Sequence, residues 1–238
     1  MDSDFFDRVS DSLTLDHLQR VGTDYYSSHG ATMISYHHYP PIGAVDYKPI
    51  VPIYTLGFPE AWVDAYVAKN YMQIDPIVRK AMTSTQAFWW SDIATLQKLT
   101  PREEDYIAAM KDADLGDGLA LPVYGPHGRD GYFGIGFGSS APELSTFRMN
   151  QIHWAGQTIH LKCCEIAGQR LPSPKALSLR EKSTMRRVAQ GWTNAEIAEA
   201  MNVSEKTVRT YLARSFDKLN VHDRMTAALR ALSAGLLD

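Results

Sequence analysis

Residues 178–219 read SLREKSTMRRVAQGWTNAEIAEAMNVSEKTVRTYLARSFDKL, and this stretch decides the fold of the C-terminal part of the chain. In Ser178–Glu181 and again in Thr193–Glu196, a hydroxyl residue is followed three positions later by Glu, which is the capping box that begins a helix. Gly191 ends the first of these helices, and residues 202–204 form the turn into the next. The stretch therefore predicts three helices separated by tight turns.

The third predicted helix has one buried face and one basic, hydroxylated face. The buried face is predicted by residues at helical spacing: Val208, Leu212, Ser215 and Leu219. The opposite face carries side chains that can donate to base edges and phosphates: Lys206, Thr207, Arg209, Thr210 and Arg214. A basic face alone also fits an ordinary helical bundle, but the order of caps and turn is typical of a helix-turn-helix unit.

This segment resembles the LuxR-type helix-turn-helix over about sixty residues. The matching residues are Leu177–Glu181, Gly191–Thr193, Glu196–Ala198, Val203–Ser204, Thr207–Val208, Lys218–Leu219 and Arg224. The chain departs from that pattern at Met185, Trp192 and Tyr211, where the family usually has Leu, Lys and often His. The resemblance implies binding to double-stranded promoter DNA. It leaves the input signal open, because response regulators end in the same kind of unit.

Charge and aromatic content divide the chain into two parts. Residues 178–238 hold 10 Lys+Arg against 7 Asp+Glu, whereas residues 1–177 hold 14 against 20. Only three of the 25 aromatic residues lie in the last 61 positions. This split predicts two domains with different partners. We place them at 1–167 and 177–238, joined by the proline-bearing linker 168–176.

Several classes of protein are excluded by simple features. The acidic start contains no apolar core of signal-peptide length, and no stretch reaches the length of a membrane span, so we expect a cytoplasmic protein without membrane contact. The only cysteines, Cys163 and Cys164, are adjacent, which excludes a disulfide framework or a four-cysteine zinc site. With His153 and His160 they share one helix, and no second cluster completes a metal site. No cofactor and no enzymatic activity are expected.

The first part predicts an α/β fold, an α-β-α sandwich around an antiparallel sheet that precedes the all-α helix-turn-helix domain. Prolines between 39 and 59 favour loops around short edge strands. The expected helices cover 5–28, 60–70, 76–84, 101–113 and 143–168, and the expected strands cover 31–36, 119–124 and 132–137.

Trp62, Tyr66, Asp75 and Trp90 are candidate binding residues in this part. Trp62 and Tyr66 are four residues apart and share a helix face, and Asp75 directly precedes Pro76. Together they offer N–H and O–H donors and carboxylate acceptors for a small amphipathic ligand. Taken singly, each also fits an ordinary core residue or a helix cap.

With Gly118 before Leu119–Pro122, these residues resemble the autoinducer-binding domain of LuxR-type quorum-sensing receptors. The resemblance implies an N-acyl-homoserine lactone ligand. Trp62 would donate to the lactone carbonyl, Asp75 would accept from the amide N–H, and Tyr66 would lie against the acyl carbonyl or chain. Trp90 would form the wall of the pocket at the lactone end, and Gly118 would allow close packing there. Ile77 is expected in the same pocket.

Two positions depart from common family usage. Phe58 stands where several members have Tyr, and Gly134 stands where Ser or Thr often helps to bind the acyl carbonyl. We therefore expect fewer hydroxyls near that carbonyl, extra room at Gly134, and tolerance of a bulky or long acyl group.

The resulting hypothesis is a ligand-responsive regulator that binds a palindromic operator as a homodimer, with RNA polymerase as a further partner. Candidate contact surfaces are the helix around 223–236, through Ala227, Ala228, Ala231 and Leu232, and the seam Ile152, Gly156, Ile159, Cys163 and Ile166. Both also fit packing within one chain. The alternatives are a regulator that acts without acyl lactone, as an orphan receptor or anti-activator, and a lactone-processing hydrolase.

Overall fold

A computed structural model of the chain describes residues 3–45, 53–169 and 175–237. The first of two compact units contains residues 3–39 and 53–168, and the second contains the other described residues. Residues 170–174 of the predicted linker lie outside the described ranges. Within those ranges, no helix has the length and apolar character needed to cross a bilayer.

The first unit is built on a five-stranded antiparallel sheet in the order β2-β1-β5-β4-β3. The strands are β1 (Met33–Tyr39), β2 (Tyr54–Leu56), β3 (Phe88–Trp89), β4 (Asp117–Tyr124) and β5 (Asp130–Gly138). As expected from the prolines, β2 is an edge strand, where an absent backbone N–H disrupts the ladder least. The predicted pair of central strands is confirmed as the β4–β5 hairpin.

Seven helices are described in the first unit. They are α1 (Ser3–Ser10), α2 (Leu15–Ser28), α3 (Glu60–Ala68), α4 (Pro76–Ala81), α5 (Ile93–Leu96), α6 (Pro101–Asp112) and α7 (Thr146–Gln169). The expected single helix over 5–28 is wrong. Thr14 accepts a hydrogen bond of 3.2 Å from the backbone N–H of His17 and thereby caps a new helix, which separates α1 from α2.

The helices cover both faces of the sheet, which confirms the predicted sandwich. Helices α2 and α7 lie on one face, where Tyr26 contacts Phe133 at 5.8 Å between ring centroids and Gly156 packs against both residues. Helices α3, α4 and α6 enclose an aromatic core on the other face. The α7 seam from Ile152 to Ile166 is buried, so that face is used inside the unit.

The second unit consists of α8 (Leu179–Ala189), α9 (Asn194–Met201), α10 (Glu205–Leu219) and α11 (Arg224–Ser233). Both predicted capping boxes are present, at Ser178–Glu181 and Thr193–Glu196. The predicted face of α10 is buried throughout. Met185, which departs from the family pattern, is fully buried in the core between these helices.

Two family positions fix these helices to one another. Lys218 in α10 donates to the buried Glu181 carboxylate at 2.7 Å, and Arg224 in α11 donates to the Asn194 side chain of α9 at 2.9 Å. Ala227 and Ala231 of α11 are buried in this core, so they serve intradomain packing. Leu232 remains half exposed.

Candidate functional site

A cavity of about 270 Å³ lies between the sheet and helices α3, α4 and α6 of the first unit. Six of the eight predicted ligand-binding residues line it: Phe58, Trp62, Tyr66, Asp75, Ile77 and Trp90. The remaining wall is largely apolar, with a few polar groups. Such a wall suits a small amphipathic molecule.

Asp75 is the most constrained polar group of this wall. It caps α4, and its Oδ1 accepts from the backbone N–H of Ile77 at 2.9 Å and of Val78 at 3.2 Å. Its Oδ2 accepts from the hydroxyls of Tyr106 at 2.7 Å and Tyr66 at 3.1 Å. The short sequence Asp75–Pro76 therefore positions the carboxylate by starting a helix, and two distant tyrosines complete its environment.

The electrostatics of this group are set mainly by burial. Burial raises the pKa of Asp75 above its usual range, against the lowering effect of its four hydrogen bonds. Burial, and after it the Asp75 charge, also raises the pKa of Tyr66 and Tyr106. Both phenols therefore stay protonated and donate to the carboxylate.

Trp62 holds the aromatic side of the cavity. Its ring lies 6.2 Å from that of Tyr66, 5.7 Å from that of Tyr71 and 5.8 Å from that of Tyr106, measured between centroids. These contacts fix the ring plane. The structure thus brings together the residues that the sequence placed near one another and adds Tyr71 and Tyr106.

Gly118 lies behind Trp90. A Cβ on Gly118 would be 2.7 Å from the Trp90 ring and 2.5 Å from the Ile135 carbonyl oxygen, so only glycine admits the indole at this depth. The indole N–H of Trp90 is buried, and burial raises the pKa of Tyr132 while a hydrogen bond from the Trp90 side chain acts more weakly to lower it.

The expected extra room at Gly134 is absent, so that prediction is wrong. A Cβ on Gly134 would lie 2.6 Å from Ser35 Oγ and 2.9 Å from the Tyr132 hydroxyl. The space is therefore filled by two hydroxyl groups, one from the neighbouring strand β1 and one from two residues earlier in β5. Whether fewer hydroxyls face the acyl carbonyl than is usual in the family stays a prediction.

Sequence reasoning missed five polar residues that line the cavity: Ser35, His37, Thr55, Tyr106 and Tyr132. The alternation of β1 offered one signal, because Met33, Ser35 and His37 share a strand face. Tyr106 offered a weaker signal, since it lies four residues before Met110 on one helix face. Neither pattern identifies a partner for these side chains.

On the other face of the sheet, His38 joins His160 and Cys164, an association that sequence reasoning did not find. One ligand-type atom from each of the three lies within 4.8 Å of the others. His160 is already hydrogen-bonded at 2.8 Å to the Tyr36 hydroxyl and at 2.8 Å to the Arg129 carbonyl oxygen. These bonds account for the cluster as a polar contact between α7 and the sheet.

The predicted DNA-contacting residues lie together on α10. Lys206, Arg209, Thr210 and Arg214 are exposed, and Thr207 is half-buried. Ser204 caps the helix by accepting from the backbone N–H of Thr207 at 3.1 Å. Arg209 pairs with Glu205 at 3.4 Å on the surface, an interaction that is weak enough to exchange for a phosphate.

Known protein families match both units. Residues 14–163 match the autoinducer binding domain, and residues 175–231 match the luxR family of bacterial regulatory proteins. The transcriptional activator protein AnoR of Acinetobacter nosocomialis is 32% identical over 187 residues, covering 76% of each chain. The regulatory protein SdiA of Escherichia coli is 27% identical over 193 residues, covering 80% of this chain and 78% of SdiA.

Solved structures show the same fold. The crystal structure of Escherichia coli SdiA matches with a TM-score of 0.73 and 22% identity, covering 99% of this chain and 97% of that one. A structure of SdiA in complex with octanoyl-rac-glycerol matches with a TM-score of 0.71 and 22% identity, covering 100% and 98%.

Proposed function

The chain belongs to the luxR family of bacterial transcriptional regulators with an autoinducer binding domain, and on this premise we propose that its cavity binds an N-acyl-homoserine lactone. The observation that carries the proposal is the buried Asp75 carboxylate in the wall of a largely apolar cavity. An acyl-homoserine lactone offers one amide N–H for a carboxylate and carbonyl oxygens for indole N–H donors. Its acyl chain suits the apolar remainder of the wall.

We place the amide of the ligand at Asp75, and this orientation assigns a role to each of the other residues. The amide N–H donates to Asp75, Trp62 faces the lactone carbonyl, and Trp90 closes the lactone end. Tyr66 lies against the acyl carbonyl while its hydroxyl holds Asp75. A hydrogen bond to the charged carboxylate contributes about 1.5–3 kcal/mol.

Ligand binding should stabilise the first unit, since it fills the cavity and satisfies buried polar groups. At a thousandfold excess over Kd, the linkage adds about 4 kcal/mol to the free energy of unfolding. The test is thermal melting of the purified full chain with acyl-homoserine lactones of several lengths and with octanoyl-rac-glycerol. A rise with lactones supports the proposal. A rise with the glycerol ester alone, or with neither, contradicts it and favours a regulator that acts without acyl lactone.

Matched variants locate the effect. Trp62→Phe should remove most of the lactone-dependent rise, because the indole N–H is lost while an aromatic ring remains. Trp89→Phe is the control, since the Trp89 ring packs on that of Phe137, with 5.8 Å between ring centroids, and does not line the cavity. Equal responses of the two variants would argue against binding in this cavity.

We further propose that the protein binds palindromic promoter DNA as a homodimer and so controls access of RNA polymerase. The N-terminal half of α10 would enter the major groove. The second units of the two copies would then lie about 34 Å apart, on adjacent turns of the DNA. The second unit carries a small excess of positive charge, so one copy should bind weakly and two copies more firmly.

The outer face of α7 supports the homodimer. Phe147, Trp154 and Leu161 follow one another at seven-residue intervals and are 68%, 67% and 48% exposed. A heptad of large apolar residues suits pairing with a second helix. Sedimentation of the lactone-bound chain should give a dimer that Trp154→Glu dissociates, and an unchanged dimer would move the interface elsewhere.

A further inference from the structure

A second group of polar side chains lies on the face of the sheet opposite the cavity, and the ligand roles above do not use it. His38 of β1 and His160 and Cys164 of α7 each bring one nitrogen or sulfur atom there, and these atoms all lie within 4.8 Å of one another. His160 and Cys164 are buried, and His38 is half-buried. Imidazole nitrogen and thiolate sulfur are the donors that zinc and copper prefer in proteins. The group therefore has the chemistry of a metal site.

His160 and Cys164 form the core of this group. They are four residues apart on α7, so their side chains leave the helix on the same face. Cys164 Sγ and His160 Nε2 are 3.6 Å apart. In a tetrahedral zinc site, a sulfur ligand at about 2.3 Å and a nitrogen ligand at about 2.0 Å lie about 3.5 Å from each other. The helix thus sets two donor atoms at the spacing that one metal ion requires.

Tyr36 orients both imidazole rings. Its hydroxyl lies 2.8 Å from Nδ1 of His160 and 3.3 Å from Nδ1 of His38. A metal-bound imidazole keeps an outer partner at one ring nitrogen while the other nitrogen binds the ion. Because Tyr36 is the partner at both Nδ1 atoms, Nε2 is the nitrogen that each ring would present to a metal.

Two glycines leave the room that these donors occupy. A Cβ on Gly125, in the turn between β4 and β5, would lie 2.9 Å from both Cys164 Sγ and His160 Nε2. A Cβ on Gly131, which pairs with His38 across β1 and β5, would lie 2.8 Å from His160 Nδ1. The donors therefore meet against bare backbone. The Arg129 carbonyl oxygen also lies there, 2.8 Å from His160 Nε2.

The hydrogen bonds of His160 hold α7 on the sheet, but they do not require a thiol and a second imidazole beside the same nitrogen. A neutral imidazole has one proton, and at Nε2 it serves the Arg129 carbonyl oxygen. With an ion at Nε2, that proton moves to Nδ1 and stays hydrogen-bonded to Tyr36. The thiol proton of Cys164 is released to solvent as the sulfur binds the ion.

We propose that His38, His160 and Cys164 bind one thiophilic transition-metal ion, zinc(II) or copper(I), between α7 and the sheet. The Arg129 carbonyl oxygen completes the set as a weaker donor. Both ions have filled d shells and accept thiolate and imidazole, so the donor set defines the class and binding measurements distinguish the two. Bound metal fixes β1 to α7 and stabilises the first unit, because the ion binds the folded arrangement. Lactone binding is not needed for this.

The test is metal binding by the purified full chain without lactone. The chain is titrated with Zn²⁺ and, under reducing conditions, with Cu⁺, each in competition with a chelator, and the metal retained after gel filtration is measured by mass spectrometry. We expect retention of about one ion per chain for at least one of the two metals, with a rise in melting temperature. The metal that is retained identifies the ion.

Matched variants locate the bound ion. Cys164→Ser and His38→Asn should each raise the Kd by more than about 100-fold, since losing a ligand costs more than losing an outer partner. Cys163→Ser is the control for the neighbouring thiol, which lies beside α2, and His222→Asn is the control for an exposed histidine. Each control should change the Kd by less than about threefold.

Retention of neither metal by the natural chain would overturn the inference. So would a natural Kd in folded Cys164→Ser, or an equal loss of affinity in the two cysteine variants. If Cys164→Ser does not fold, His38→Asn decides, because the half-buried His38 lies near the end of β1, where asparagine can be accommodated. An unchanged Kd in that variant would equally overturn the site.

Discussion

Asp75→Asn separates the structural role of Asp75 from its proposed role in ligand binding. The asparagine amide oxygen can still accept from the backbone N–H groups of Ile77 and Val78, so the cap of α4 is retained. The other carboxylate oxygen becomes an NH₂ group. That group faces the Tyr66 and Tyr106 hydroxyls and cannot accept from a ligand amide.

The expected loss of affinity follows from one hydrogen bond. Removing a hydrogen bond to a buried carboxylate costs about 1.5–3 kcal/mol, which corresponds to a loss of roughly 10- to 100-fold in Kd. The new NH₂ group opposes the ligand N–H, so the loss should lie toward the upper end. Asp75→Ala should lose the cap as well and destabilise the free protein by about 1 kcal/mol or more.

Although Asp75→Asn should weaken ligand binding, it should not lower the stability of the ligand-free protein at pH 7. Because burial raises the pKa of Asp75, the folded state favours the protonated carboxyl. Its contribution to stability is present below the ordinary pKa of an aspartate and is lost as pH rises through the raised value. At pH 7, Asp75→Asn should therefore equal or exceed the natural chain in stability, and this advantage should disappear as pH falls toward 4.

Calorimetric titration with an acyl-homoserine lactone measures the affinity, and urea unfolding at pH 7 and pH 4 measures the stability. Circular dichroism of the apo variants confirms that each is folded. Unchanged lactone affinity in a folded Asp75→Asn protein would refute the assignment of Asp75 as the amide acceptor. A large loss of stability at pH 7 would show that the tyrosine hydrogen bonds outweigh the burial of charge.

Three further predictions concern packing, DNA binding and the second unit. Gly118→Ala should abolish lactone-dependent stabilisation in thermal melts, because the added Cβ would lie 2.7 Å from the Trp90 ring. Gly168→Ala is the control: a Cβ there has no heavy atom within 4 Å, so this variant should melt at or slightly above the temperature of the natural chain. Lys206→Ala should weaken operator binding and reduce the slope of log K against log salt by about one, measured by fluorescence anisotropy, and the exposed Lys175→Ala should change both less. Glu181→Ala should destabilise the second unit by about 1 kcal/mol or more, because it removes the capping box of α8 and the ion pair with the partly exposed Lys218, and hydrogen exchange of α8 should report the loss.

The C-terminal unit was predicted in detail from sequence, because its signals are local. A capping box needs residues only three positions apart, and the buried face of α10 repeats within one helix. The structure confirms both. What the sequence left undecided was the role of α11, since Ala227 and Ala231 suit either a partner chain or their own core. Only the packing of α8 against α11 assigned them to the core.

The first unit was predicted less completely. The sandwich and most element bounds follow from periodicity and prolines, but the break at Thr14 did not, because a continuous apolar pattern across 5–28 hid a single capping hydroxyl. The interpretation of Gly134 failed for a different reason. The absence of a side chain suggests space, whereas the register of β1 against β5 places Ser35 beside Gly134 and fills that space.

The sequence by itself determined the two-part organisation, the helix-turn-helix and the residues Trp62, Tyr66 and Asp75 as candidates, since each depends on neighbours along the chain or on a family pattern. Only the tertiary structure decided which groups complete the site. Tyr106 reaches Asp75 from 31 positions away, and His37 meets Tyr132 across two paired strands. These contacts depend on how helices and strands pack over long separations, which local sequence patterns do not specify.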